Sequence, residues 1–140
     1  MIAPDTSVLV AGFHPGHPRH AAAVPALVDV KAGGGLIAHT MAETYAVLSS
    51  PSGPFRVEPA TVVAYLDQFL AGSDPIQHQP GSYREALDLL GERNQPGGAV
   101  YDALIGLAAR DAGATLVSFD RRAEPTYAAC GVEAKMLAVV

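Results

Sequence analysis

A chain of 140 residues, 49% of them hydrophobic, has material for one compact domain with a core of its own, and residues 1–140 are expected to form a single unit. A formal charge of -5 excludes a molecule that grips nucleic acid with its whole surface, so such a contact needs a local basic patch or a bound cation. The lone Cys130 excludes an intrachain disulfide and a cysteine-rich zinc site, which fits a reducing cytoplasm.

The chain opens on "MIAP", a short strand, followed at once by "TSVLVAGF", a short helix. No basic stretch precedes an apolar run here, so no secretion signal is expected. No apolar run approaches the ~20 residues of a membrane helix, and a cytoplasmic protein is expected. "FHPGHPRH" is a loop carrying His14, His17 and His20, and without an acid or cysteine nearby it reads poorly as a metal site. "PRHAAAVPALVDVKAG" reads as a helix that Pro25 should kink or break, and "GGG" at 33–35 ends it. "LIAH" is a second short strand. "TMAETYAVLSS" follows as a helix, with Thr40 as its cap and Glu43 three residues on, as in a capping box.

Residues 51–59, "PSGPFRVEP", form a loop, and "ATVVAYLDQFLAG" is an amphipathic helix with Val62, Tyr65, Leu66 and Phe69 on one face. "PIQHQP" reads as a polar strand at a sheet edge. "SYREALDLLGER" is a helix with Ser82 as cap, and a further helix is expected over 99–112 after the loop "NQPGG". "ATLVSF" is a buried strand, and a short helix over 121–129 and a strand near 132–137 complete the chain. Strands alternating with helices predict right-handed crossovers and a mostly parallel sheet covered on both faces, a three-layer α/β/α sandwich. Sites in such sheets lie outside the carboxyl ends of the strands.

Four acids fall at that edge. Asp5 follows the first strand and Asp120 follows "ATLVSF", and each can equally be read as a helix cap or turn acid. Glu43 lies in the first turn after the second strand, where it can also serve the capping box. Asp102 is the odd one, set in "VYDALIGLAA" among residues apolar nearly all round the helix. A helix N-terminus stabilises a negative charge by only about 0.3–1 kcal/mol, whereas an unpartnered buried carboxylate costs several. A cation must therefore face Asp102: an arginine, a lysine or a metal ion. Four carboxylates gathered together repel one another, and a divalent ion with a taste for hard oxygen ligands, Mg²⁺ or Mn²⁺, resolves that repulsion.

"PDTSVLVA", the acid in "MAETYAVL" and "YDALIGLAARDAGATLVSFDRR", with its second Asp 18 residues after the first, resemble a PIN-domain ribonuclease, and specifically the VapC-type toxins of bacterial toxin–antitoxin pairs. The resemblance implies a PIN-like fold and Mg²⁺- or Mn²⁺-dependent hydrolysis of RNA that leaves a 5′-phosphate and a 3′-hydroxyl. It also implies a homodimer and a small antitoxin that covers the active site. It places the family's acids on Asp5, Glu43, Asp102 and Asp120, with Asp5, Asp102 and Asp120 as metal ligands. Thr6 and Ser118 match its small hydroxyl residues and would support the carboxylates. Some relatives carry a fifth acid where this chain has Arg121 and Arg122. These two arginines either hold the RNA backbone or form a solvated helix start.

Two other classes compete. A phosphotransfer receiver needs paired acids after the first strand and a lysine after the last, but Asp5 is single and Lys135 lies within the last strand. A dehalogenase-type phosphatase needs a second Asp at position 7, which is Ser. The remaining rival is a PIN fold that binds without cutting, against which the complete acid set argues.

Overall fold

The computed structural model describes residues 1–54 and 56–138. In chain order these form β1 (Ile2–Pro4), α1 (Thr6–Phe13), α2 (His20–Gly33), α3 (Ala38–Ser49), α4 (Pro59–Leu70), α5 (Ser82–Glu92), α6 (Ala99–Asp111), β2 (Thr115–Ser118), α7 (Glu124–Cys130) and β3 (Ala134–Met136). The three strands form one parallel sheet in the order β1-β2-β3, with Ala3 opposite Leu116 and Val117 opposite Lys135. The architecture is the expected α/β/α sandwich.

The period-two alternation of the strands separates two cores. Ala3 and Leu116 point to one face and pack with Leu104, Ile105, Leu107, Ala108 and Tyr127 of α6 and α7. Val117 and Phe119 point to the other and pack with Val8 and Leu9 of α1, Leu27 and Val30 of α2, and Leu66 and Phe69 of α4. The α6 helix, apolar nearly all round, is buried along its length from Ala103 to Ala109.

Two expected strands shrink to a single contact. "LIAH" and "PIQHQP" meet only at an isolated parallel bridge, Ile37 to Ile76. The bridge is closed by Ile76 N–H to the Leu36 carbonyl (2.7 Å) and Ala38 N–H to the Ile76 carbonyl (2.9 Å), and Gly35 N–H donates to the Ile2 carbonyl at 3.0 Å. The direction of the chain is right, but α3 already begins at Ala38 and Pro75 cannot donate, so no ladder has room to grow. Gly34 belongs to this junction, because a Cβ there would fall on the Ile2 carbonyl oxygen and the Val30 Cα.

Two expected helix caps also fail, and one expected break does not occur. Neither Thr40 nor Ser82 caps its helix: α3 starts two residues before Thr40, α5 starts at Ser82 itself, and neither cap position makes a side-chain bond. Both hydroxyls are buried without a hydrogen-bond partner among the described residues. Pro25 does not end α2, which runs continuously through it. It lies on the exposed face, where water can take the carbonyl that proline leaves without a donor.

Candidate active site

The parallel sheet brings the carboxyl ends of β1 and β2 side by side, and Asp5 and Asp120 leave from those ends. The first turn of α6 supplies Asp102 and α3 supplies Glu43. All four acids line one cavity of about 110 Å³, with Thr6, Ser7, Ile105, Arg122 and Tyr127 completing its wall. The expectation of four converging acids thus has a geometric counterpart: residues from opposite ends of the chain share one small space.

Asp5 is 3% exposed and held on several sides. One carboxylate oxygen accepts from the Ser7 backbone N–H at 3.0 Å and from the Ser7 hydroxyl, and the other accepts from the Tyr127 hydroxyl at 2.9 Å. The first of these bonds makes Asp5 the N-cap of α1, so the cap and the site are one residue. Burial pushes its carboxyl above the usual range, while hydrogen bonds from Ser118, Ser7 and Tyr127 pull the other way. The Ser7 hydroxyl also accepts the Phe119 N–H at 2.9 Å, which ties the start of α1 to the end of β2.

Asp102 has its pKa pushed up to about 6, first by burial, against the pull of Arg122 and with further upward pressure from Asp120, Glu43 and Asp5. The cation that its setting demands is present in the chain: the Arg122 guanidinium stands 3.0 Å from Asp120 and 4.0 Å from Asp102. Arg122 N–H also donates to Asp120 at 3.0 Å, and Asp120 N–H donates to the Ser118 hydroxyl at 2.9 Å. Thr6 donates to Glu43 at 3.2 Å, and His39 Nε2 lies 3.8 Å from the same carboxylate. His39 in turn stacks on Tyr101, ring centroids 5.4 Å apart. Thr6 and Ser118 thus sit against the acids. Arg122 turns onto the acids, whereas Arg121 lines a neighbouring groove with Arg19 and Phe119.

The PIN domain family model matches residues 2–128. The chain is 47% identical over 137 residues to Ribonuclease VapC40 of Mycobacterium tuberculosis, covering 98% of this chain and 99% of the relative. The chain is a VapC-type PIN-domain protein. Ribonuclease VapC27 of the same species is 35% identical over 136 residues, covering 94% of this chain and 93% of that one. The crystal structure of PAE2754 from Pyrobaculum aerophilum has the same fold, with a TM-score of 0.58 at 22% identity over 89% of this chain and 84% of that chain.

This PIN domain offers only oxygen donors in its cavity, which suits Mg²⁺ or Mn²⁺ and not zinc. Among the described residues no three acids stand in a ready ligand cage. Arg122 instead pairs with Asp120 and Asp102, and Asp5 is bonded to Ser7 and Tyr127. The chemistry of the donor set, carboxylate and hydroxyl oxygens, fits a hard divalent cation. His14, His17 and His20 serve the loop: Gly16 N–H and Arg19 N–H donate to the Nδ1 atoms of His14 and His17, and His20 Nδ1 lies 3.0 Å from the Ala11 carbonyl.

Ser7 and Tyr127 are site residues that the sequence alone does not single out. Ser7 has a faint signal, a hydroxyl two residues past a capping acid. Tyr127 has none, because only the packing of α7 against α6 turns its hydroxyl toward Asp5. No described helix is long and apolar enough to cross a membrane.

Proposed function

We propose that this PIN domain is an Mg²⁺- or Mn²⁺-dependent endoribonuclease and the toxin of a toxin–antitoxin pair. The observation that carries the reading is the set of four acids from separate elements on one cavity wall, at the carboxyl edge of the sheet, with Asp102 pushed up to about 6 by its surroundings. The names of its relatives, both ribonucleases of the VapC type, support the same activity.

Asp5, Asp102 and Asp120 would hold the cation, with Glu43 completing its shell or orienting the attacking water. When bound, a divalent ion acidifies water and neutralises charge growing on the phosphate. The protein's own part is positional. Ser7 and Tyr127 fix the aim of Asp5, Thr6 holds Glu43, and Ser118 anchors the Asp120 backbone. Arg122 is 74% exposed, so it is free to swing from the acids to a phosphate oxygen of the RNA. A small antitoxin chain covering this cavity and a homodimer follow as the proposed assembly.

Incubation of the purified chain with a labelled RNA pool and Mn²⁺ tests the reading. Cleavage should require the ion and vanish with EDTA, with Asp5→Ala and with Asp102→Ala. Cutting that persists in chelator or in either variant refutes it, and a chain that cuts no RNA belongs to the binding-only class.

A further inference from the structure

Nine lysines and arginines carry all the permanent side-chain positive charge of a chain whose net charge is -5. Several are already engaged: Arg84 by Asp88, Arg110 by Glu85 and Asp111, Arg122 by Asp120. Arg19 and Arg121 are exposed, and no ion pair within 4.0 Å ties either of them among the described residues. Both line one groove of about 510 Å³ with Phe119 and Leu137, and its remaining walls, Ser7 and Asp120, are shared with the acid cavity. The groove thus opens directly from the cleft.

The two arginines are held differently. The Arg19 guanidinium lies 5.5 Å from the centroid of the Phe119 ring, and Phe119 is itself pinned by its N–H to the Ser7 hydroxyl at 2.9 Å. Stacking on an aromatic face leaves the in-plane N–H groups of a guanidinium free for an anion. Arg121 follows Asp120 directly in the chain. A cavity of about 110 Å³ has room for a single phosphate, so its neighbour along the strand must be held outside it.

We infer that this groove seats the RNA phosphate next to the one being cut, with Arg19 and Arg121 as positioning residues. The inference rests on the ribonuclease reading above. The groove supplies the local positive charge that an acidic chain needs to hold RNA, and it does so beside the acids without cancelling them.

The test uses the full chain carrying Asp102→Asn, in Mg²⁺, and the anisotropy of a fluorescent, unstructured 12-nucleotide RNA pool over a range of salt. The Arg19→Ala, Arg121→Ala double variant should bind about tenfold more weakly, and its log–log salt slope should flatten by about 0.7 for each phosphate left without its arginine. Arg19→Lys should keep the slope. Arg84→Ala, which removes one positive charge outside the groove, should leave affinity and slope unchanged. In the otherwise native chain the double variant should raise KM about tenfold and leave kcat within twofold. Unchanged affinity and slope, an equal effect from Arg84→Ala, or a loss in kcat at constant KM overturns the inference. A native chain that cuts no RNA, yet loses binding with the double variant, refutes the nuclease reading alone. A native chain that cuts while the double variant binds normally refutes the groove alone.

Discussion

Replacing Asp102 with Asn removes a charge and almost nothing else, so it isolates what that charge costs the fold. The Asp102 carboxyl titrates near 6 in the folded chain instead of near 3.8. A raised folded pKa means that the contribution of this group to stability is fully present below about pH 4 and is lost as pH rises through about 6. The gap corresponds to roughly 3 kcal/mol at 1.36 kcal/mol per pH unit, and the solvent that reaches this half-buried group cuts it to about 1–2 kcal/mol. In EDTA at pH 8, Asp102→Asn should therefore be more stable than the parent by about 1–2 kcal/mol, a rise in melting temperature of about 3–8 °C. At pH 4 the two should unfold together. Urea titrations at both pH values, with thermal melts alongside, check this. The same variant should bind Mn²⁺ poorly and fail to cut RNA. A variant less stable than the parent at pH 8, or one with the same advantage at both pH values, refutes the argument that burial and crowding of charge govern this site.

Tyr127→Phe deletes one hydrogen bond to a buried carboxylate and should cost about 1.5–3 kcal/mol in denaturant titrations at pH 8. It should also lower cleavage by misaiming Asp5, and retention of both stability and activity would show that the hydroxyl is idle. Arg122→Ala should lower the melting temperature of the metal-free chain by about 1–3 °C at pH 8, and saturating Mn²⁺ should erase that difference. The same variant should bind Mn²⁺ more tightly in calorimetry, since the ion no longer competes with a guanidinium. Gly34→Ala should destabilise the chain by about 1–3 kcal/mol, because the new methyl meets main-chain atoms that cannot rotate away. A melting curve unchanged from the parent would mean that the junction between α2 and β1 shifts at little cost.

The acids are legible in the sequence because each obeys a rule of position. Asp5 and Asp120 terminate apolar strands, and Asp102 contradicts the apolar helix around it. The burial of β2 is equally plain, and Leu116 and Val117 serve two cores because buried parallel strands need apolar residues on both faces. What stays hidden depends on tertiary structure. The capping box at Thr40 and Glu43 has the right letters, but Thr6 from another helix takes Glu43, and α3 starts earlier than the motif requires. The strands around Ile37 and Ile76 are shorter than expected because short apolar runs carry no statement of length. Arg122 is visible as a charge after Asp120, yet nothing in its neighbours tells that it folds back to answer Asp102 across the cavity.

The Ser7 hydroxyl, bonded both to Asp5 and to the Phe119 N–H, gives the cleft one fixed jaw. Asp5 cannot turn without breaking bonds to α1 and α7 together, and the edge of β2 moves with it. Two other side chains of the cleft are held less: Glu43 is 34% exposed with a single hydroxyl donor, and Arg122 stands largely in solvent. A molecule entering the cleft therefore meets a rigid anvil of Asp5 and Ser7, and all the adjustment to its shape falls to Glu43 and Arg122. Variation in what the cleft accepts should accordingly be sought at these two side chains, and not at Asp5 and Ser7.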